Sequence, residues 1–288
     1  MTSTRFERMV IGLLQGTGSN PAIRAAADLA EFLNIELLGA FIADASLHSL
    51  IGLPGRELRM LDLQWQPVDL ARISRDVEHV VDFARNRFVE NVGKRSIRAR
   101  FDIIAGAHVL NSLIRPDDIV VVIEPAHPGE KITQQFLGLL DAVFETAAAI
   151  LVFPDRILRA RGPIVATATS SDDPSITAAL EIAAALRERL IIAAQPGVLP
   201  SAEFLAGAKR LGVDVEQTTD DSTAVDAAAP VLSSSRPQGR LRVVSRSRRP
   251  DDVRELFSTL HGTPLLLVSA HGASSLPHEL ESQPGGRD

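Results

Sequence analysis

Residues Ile11–Phe41, IGLLQGTGSNPAIRAAADLAEFLNIELLGAF, decide how this 288-residue chain is interpreted, because a related stretch follows later in the sequence. The second copy is Ile164–Ala194, IVATATSSDDPSITAALEIAAALRERLIIAA, and the two copies align without a gap. Each has an apolar run, a polar turn, an Asx-Pro pair, an alanine-rich stretch and a second apolar run. We therefore expect a tandem of two related units.

Each copy is predicted to form a strand, a turn, a helix and a second strand. Met9–Leu14 and Ile164–Ala168 are continuously apolar, which is typical of strands buried on both faces of a parallel sheet. Asn20 and Asp173 precede proline and suit helix N-caps, because their side-chain oxygens can accept from the unpaired N–H groups of a first turn. A strand directly after such a helix implies a right-handed βαβ crossover.

Composition excludes several classes of protein. The chain is long and apolar enough, at 45% hydrophobic residues, for two cores of ordinary size. It has no cysteine, which excludes disulfides and thiolate metal sites, and its net charge of −6 argues against a general nucleic-acid binder. Arg5, Glu7 and Arg8 stand where a signal peptide would be apolar, and no apolar run is long enough to cross a bilayer. We therefore expect a cytoplasmic protein that binds neither nucleic acid nor membrane.

Both halves continue with the same order of elements at different lengths. The first domain is predicted to span 1–157 with a long inserted segment at Asp44–Val68, and the second 162–270, before a flexible tail at 271–288. After the repeat, the first half is predicted to contain helices over Leu70–Val92, Ala107–Ile114 and Thr133–Ala147, and strands over Ile97–Ile104, Asp118–Ile123 and Ala149–Phe153. The second half is predicted to contain helices over Ala202–Leu211, Ser222–Leu232 and Asp251–Leu260, and strands over Val213–Thr218, Leu241–Ser245 and Pro264–Ser269. This alternation predicts an α/β fold with two doubly wound five-stranded parallel sheets in tandem.

The chain resembles a tandem universal stress protein, a Rossmann-like family in the nucleotide-binding, alpha-hydrolase-like group. The likeness lies in VIGLLQGTGSNPAIRAAADLAEFLNIELLGAFI, its copy IVATATSSDDPSITAALEIAAALRERLIIAA, and the closing strands AAAILVFP and GTPLLLVS. It implies a stress-response protein whose units meet through their final strands, Ala149–Phe153 and Pro264–Ser269, as an intrachain pseudo-dimer. It also implies further homodimerisation.

The nucleotide-binding motifs of that family are degenerate in this chain. Family members that bind ATP use an acidic residue at the end of the first strand and a glycine-rich loop after the fourth. Here the acidic position falls on Gln15 in the first half and on Ala168 in the second. The first-half loop, EPAHPGEKITQQFLG, retains Gly129 without the paired glycines, and the second-half loop, SRSRRPDD, has no glycine. We therefore predict a non-catalytic regulatory module that acts through an unidentified protein partner.

Two features could still hold ATP, AMP or another anion. The first is the turn made of Gln15, Gly16, Thr17, Gly18 and Ser19, which leads into a helix N-terminus whose partial positive charge favours phosphate. Its structural alternative is a strand-to-helix turn that needs unusual backbone angles.

The second feature is an arginine cluster that includes Arg246 and Arg248, directly after the fourth strand of the second half. Arginine suits bidentate phosphate contacts, whereas the structural alternative is a solvated rim. An ATP or AMP sensor that uses the glycine turn, and a weak ATP-hydrolysing enzyme, are therefore kept as alternatives. No metal site or catalytic residue is predicted, since the histidines lack metal-ligand spacing and no Gly-x-Ser-x-Gly elbow occurs.

The inserted segment Asp44–Val68 is too apolar for a free loop. One interpretation is that it packs over the first unit's cleft or the seam between the units. The other is a lid or a partner-binding surface with Trp65 as its anchor.

Overall fold

The computed structural model describes residues 6–14, 20–43, 56–59, 64–67, 69–93, 95–146, 149–154, 156–157, 159, 161–219, 239–246 and 262–269. In the first half these form β1 (Arg8–Leu13), α1 (Asn20–Leu33), β2 (Glu36–Ala43), β3 (Arg56–Arg59), β4 (Gln64–Pro67), α2 (Leu70–Val92), β5 (Ala99–Ala105), α3 (Ala107–Leu113), β6 (Asp118–Ile123), a 3-10 helix (Glu130–Ile132), α4 (Gln134–Phe144) and β7 (Ala149–Phe153). In the second half they form β8 (Ile164–Ala168), α5 (Pro174–Leu186), β9 (Leu190–Ala194), α6 (Ala202–Arg210), β10 (Val215–Thr219), β11 (Leu241–Arg246) and β12 (Leu265–Ser269).

Ten of the described strands form one sheet, in the order β10-β9-β8-β11-β12-β7-β6-β1-β2-β5. Each half contributes five parallel strands, and both groups have the order third, second, first, fourth, fifth. The predicted α/β class with doubly wound parallel strands is therefore confirmed, but the two five-stranded groups belong to one sheet rather than to two separate sheets. The two groups are joined edge to edge, because β12 pairs antiparallel with β7 and Leu266 lies opposite Leu151.

The central strands are buried on both faces, as the continuous apolar runs of β1 and β8 predict, whereas the edge strands β5 and β10 are largely exposed. On one face α1, α2, α5 and α6 pack against the sheet, and their buried side chains belong to a cluster that spans both halves. On the other face α3 and α4 cover a second cluster, centred on Leu110, Phe136, Leu139 and Leu140. Burial on two faces places the loops at the strand ends as the accessible parts of the sheet.

The repeated helices end alike. Asn34 and Arg187, which are equivalent in the sequence alignment, directly follow α1 and α5, and both have left-handed backbone, with φ of 53° and 54°. This conformation ends an α-helix, and it is uncommon outside glycine. The C-terminal ends of the two helices therefore match as the alignment predicts.

The first strands of the two copies do not match in the same way. In the sheet, Met9 of β1 lies opposite Leu37, and Ile164 of β8 lies opposite Leu190. Met9 is thus the structural equivalent of Ile164, whereas the gapless alignment pairs Ile164 with Ile11. Since the helices match, the connection from β1 to α1 is two residues longer than its counterpart in the second half.

The described part of the inserted segment is an antiparallel hairpin made of β3 and β4. Trp65 lies in β4 opposite Leu58 and is 62% exposed. Trp65 is therefore not buried against the described part of the chain, and its role as an anchor for a lid or a partner stays a prediction. The remainder of Asp44–Val68 lies outside the described residues, as do the predicted helices Ser222–Leu232 and Asp251–Leu260 and the tail 271–288.

At the amino-terminal ends of the first-half strands, an ion pair joins β1 to β6. Arg8 at the start of β1 donates from Nε and Nη2 to the two carboxylate oxygens of Asp118, at 3.0 and 2.6 Å. Asp118 is fully buried and also accepts from the backbone N–H of Arg115. This end is therefore filled by structural contacts.

Within the described residues, no helix is long and apolar enough to cross a membrane.

Candidate functional site

The topology of the sheet defines two candidate sites, one in each half. In the first half the chain runs outward from β1 to β2 and then returns to β6 on the other side of β1; in the second half β8, β9 and β11 do the same. The place where the chain changes from one side of the first strand to the other is called a switch point. In open α/β sheets, ligands bind there, at the carboxyl ends of the strands. The two switch points lie after β1 and β6, and after β8 and β11.

The switch point of the second half is occupied by a hydrogen-bonded cluster around Asp173. Oδ2 of Asp173 accepts from the backbone N–H and the Oγ1 of Thr169, both at 2.9 Å. Oδ1 accepts from the N–H of Ser175 at 3.0 Å, from Ser175 Oγ at 2.6 Å, and from Ser245 Oγ. We call these four residues the Asp173 network.

The Asp173 network is centred on a buried, negatively charged carboxylate. Asp173 is only 2% exposed and Ser175 is fully buried. Burial alone would raise the pKa of Asp173, but the hydrogen bonds from Ser175, Ser245 and Thr169 outweigh it and hold the pKa below its usual value. Asp173 is therefore an ionised carboxylate with five hydrogen bonds, at the place where this class of fold holds a ligand.

The first half has no such network among its described residues. Asn20, which aligns with Asp173, is itself the first residue of α1 rather than the residue before it. Its Oδ1 accepts from Nε of Arg87 at 3.0 Å and from Nδ2 of Asn91 at 3.2 Å. The side chain of Asn20 therefore contacts α2, because an amide at this position finds donors on the neighbouring helix.

The fourth strands also differ between the halves. Ile119 pairs with Met9 and Leu241 pairs with Ile164, so Ile123 of β6 is equivalent to Ser245 of β11. The hydroxyl that closes the Asp173 network is thus replaced by a buried apolar side chain.

Glu124 follows Ile123 and is the equivalent of Arg246. Its carboxylate forms an ion pair with Nζ of Lys131 at 2.5 Å. The first-half loop after the fourth strand therefore has its own internal charge pair, in place of the second half's arginine.

Arg246 lies on the other face of the sheet from the Asp173 network, because neighbouring side chains of a strand point to opposite faces. Its Nη2 donates to the carbonyl of Thr146 at 2.5 Å, and its guanidinium lies 5.9 Å from the ring centre of Phe144. Burial lowers the pKa of Arg246, and its Nη1 is buried without a hydrogen bond to the part of the chain that is described. Arg246 therefore connects the two halves.

Gly129 was predicted as an anion-binding residue, but neither its backbone conformation nor its surroundings require a glycine. Gly129 precedes the 3-10 helix with φ of −64°, which any residue adopts, and a Cβ built there would meet no atom within 4 Å. The other predicted residues, Gln15, Gly16, Thr17, Gly18, Ser19 and Arg248, lie outside the described residues. In the described part of the chain, no group of three His, Asp or Glu side chains could hold a metal ion.

Thr169, Ser175 and Ser245 are the polar residues that sequence reasoning missed. The letters SSDDPS indicate a capped helix, and the cap is present, because Oδ1 of Asp173 accepts from the N–H of Ser175. Ser245 is 72 residues away, and only the pairing of β8 with β11 brings it to Asp173. Only one signal could have indicated the network. It is an N-cap with a serine two residues later, combined with a second serine at the end of the fourth strand.

The sequence matches no model of a known protein family and no curated protein. Among solved structures, the fold is similar to that of a universal stress protein from Archaeoglobus fulgidus DSM 4304, with a TM-score of 0.54 and 11% identity over 90% of this chain and 96% of that chain. A protein of unknown function from Pseudomonas aeruginosa PAO1 matches with a TM-score of 0.46 and 11% identity, over 93% of this chain and 94% of that chain. This chain thus has the fold of universal stress proteins, as its resemblance to them predicts.

Proposed function

We propose that this chain is a non-catalytic regulatory module of the universal stress protein type, which acts through contact with another protein. The observation that supports this proposal is the Asp173 network. An ionised carboxylate with five internal hydrogen bonds occupies the switch point of the second half. A nucleotide phosphate would have to approach that carboxylate or displace it.

Either route is unfavourable for a nucleotide. Two like charges about 4 Å apart near a protein surface repel each other by about 4 kcal/mol. Displacement would leave the N–H groups of Thr169 and Ser175 without their acceptor, at about 1–3 kcal/mol for each unsatisfied group. The second half is therefore proposed as a structural and interaction unit.

The proposal extends to assembly and location. The antiparallel pairing of β7 with β12 supports an intrachain pseudo-dimer as the working unit. A homodimer of such units in the cytoplasm, with a protein partner, is the form in which we propose that it acts.

Calorimetric titration of the full chain with ATP, ADP and AMP, with and without Mg²⁺, tests the proposal. We expect no binding up to millimolar nucleotide and no phosphate release. Any binding would contradict the proposal, and binding that persists when the first-half turn is altered by Gly16→Val would place the nucleotide elsewhere in the chain.

A nucleotide sensor in the first half is the second candidate. It is favoured by the longer connection between β1 and α1, and by Ile123 and Asn20 at the positions of Ser245 and Asp173. This candidate predicts that ATP or AMP binds to the chain and that Gly16→Val abolishes binding. Ser170→Val, at an exposed position in the corresponding connection of the second half, is the control and should leave binding unchanged. Phosphate release that is lost with Gly16→Val would identify a weak ATP-hydrolysing enzyme instead.

A further inference from the structure

A cleft of about 330 Å³ lies where the two halves meet. We call it the seam cleft. Its walls are one side of α1 in the first half and the end of α5 in the second, and its floor is formed by β7 and by the starts of β11 and β12. The lining residues are Pro21, Arg24, Ala25, Asp28, Leu29, Leu151, Phe153, Ile157, Arg159, Leu186, Arg240, Leu241 and Pro264.

The floor of the seam cleft and the side of α1 next to it are apolar. Leu29, Leu151, Phe153 and Leu241 are all less than a tenth exposed. Leu151 and Phe153 are two residues apart on β7, so both point to the same face of the sheet. This surface cannot satisfy polar groups, and it favours an apolar body of a ligand.

The rim of the seam cleft is cationic. Arg24, Arg159 and Arg240 line it, and the only lining acid among the described residues is Asp28. Asp28 is already neutralised by Arg95 in the loop after α2, whose Nη2 lies 2.6 Å from Oδ1. The described lining therefore contains more cationic than acidic side chains, in a chain whose net charge is −6.

Arg240 is the arginine best placed for recognition. Its side chain is 22% exposed, and its guanidinium lies 6.0 Å from the ring centre of Phe32. Nη1 is 3.9 Å from the carboxylate of Glu188, at the limit of an ion pair. A partly buried guanidinium beside an apolar floor interacts more strongly with an anion than one in bulk water.

The cationic rim is specific to this side of the seam. The positions on α5 that align with Arg24 and Asp28 of α1 are Thr177 and Glu181. The same surface of the second half thus lacks the cation and keeps an acid. The asymmetry means that the seam cleft is not a necessary consequence of the repeated fold.

We propose that the seam cleft binds a small amphipathic anion, with an apolar body on the floor formed by β7 and one carboxylate or phosphate head at Arg24, Arg159 and Arg240. Its volume is at the lower end of the range for small-molecule sites, about 300–1,000 Å³, which suits a single short chain or ring. This proposal is independent of nucleotide binding at either switch point.

Calorimetric titration of the full chain with decanoate, below its micelle concentration, tests the proposal. Decanol has the same chain without the charge, and inorganic phosphate has the charge without the chain. We expect one decanoate per chain, and weaker binding of both decanol and phosphate by about tenfold or more, because each lacks one half of the recognition. Decyl phosphate in place of decanoate distinguishes a phosphate head from a carboxylate head by its relative affinity.

Two variants locate the site. Ala25→Trp should fill the cleft and abolish binding, and Arg240→Gln should weaken decanoate by about tenfold while leaving decanol unchanged. The matched controls are Ala185→Trp, on a partly exposed part of α5 that does not line the cleft, and Arg189→Gln, an exposed arginine paired with Glu216. Circular dichroism of each variant establishes that it is folded.

Several results would overturn the proposal. Equal affinities for decanoate and decanol would show that no cation recognises the head, and phosphate as tight as decanoate would show that the floor contributes nothing. Unchanged decanoate binding by folded Arg240→Gln or Ala25→Trp would place the ligand elsewhere. If Ala25→Trp fails to fold, the Arg240→Gln result decides alone.

Discussion

At the scale of single residues, the second half is marked by one buried carboxylate. Asp173 is held by donors from three places in the chain: Thr169 after β8, Ser175 in α5 and Ser245 in β11. A carboxylate with this many donors remains charged in spite of its burial, because the hydrogen bonds stabilise the ionised form. The residue that caps α5 therefore also fixes α5 to the fourth strand.

Asp173→Asn should destabilise the fold by about 1–3 kcal/mol at pH 7, because an amide nitrogen would face the donors of Thr169. The pKa of Asp173 is lower in the folded than in the unfolded chain. Its contribution is therefore complete above the unfolded pKa of about 3.9 and declines as the pH falls through the folded pKa. Urea unfolding at pH 7 and pH 3 measures both effects. The exposed neighbour gives the control, Asp172→Asn, and an equal loss in both variants would contradict this role.

The sequence indicated part of this site and could not indicate the rest. Asp173 was predicted as an N-cap because the cap depends on residues within one turn. Its contact with Ser245 depends on the sheet order, which one sequence does not contain. Arg246 was predicted as an anion ligand from its position after a strand, but side-chain direction alternates along β11, and that alternation places it on the opposite face from Ser245.

At the scale of elements, local pattern was sufficient for a helix with an apolar stripe and for a strand that is buried throughout. The predicted bounds of α2, Leu70–Val92, and of β6, Asp118–Ile123, are those of the structure. The hairpin of β3 and β4 was not predicted, because its four-residue strands are too short to show a period. The two-residue difference between the first strands was also missed, since adjacent apolar letters align equally well in several registers.

The contact between β2 and α2 depends on a glycine. A Cβ on Gly39 would lie 2.8 Å from the ring of Phe88, which is itself packed against Phe101 with ring centres 5.7 Å apart. Gly39→Ala should therefore destabilise the chain by about 1–3 kcal/mol in urea unfolding, although alanine is otherwise preferred to glycine in a strand.

Gly129→Ala is the control for that substitution, because its Cβ meets open space, and its effect should lie within about 0.5 kcal/mol. Adding Phe88→Leu to Gly39→Ala should recover part of the loss, since the smaller side chain removes the overlap. The steric explanation would be contradicted if the double variant loses as much free energy of unfolding as the two single variants lose together.

At the scale of the whole molecule, the two halves share one sheet and one core. β7 lies between β6 and β12, so the junction is in the interior of the sheet rather than at an exposed edge. The cluster on the face of α1 and α5 includes side chains from both halves, and Arg246 crosses the junction to Thr146. These contacts couple the stability of one half to that of the other, since neither can unfold without exposing apolar surface of its neighbour.

Native-state hydrogen exchange of Asp173→Asn tests this coupling. The substitution lies in the second half, yet we expect the slowest amides of β1, β6 and β7 to lose as much protection as those of β8 and β11, because all of them exchange through one global opening. Asp172→Asn should leave both sets unchanged. A loss confined to β8 and β11 would mean that the halves unfold independently, and that pairing of β7 with β12 is too weak to make the ten strands one cooperative unit.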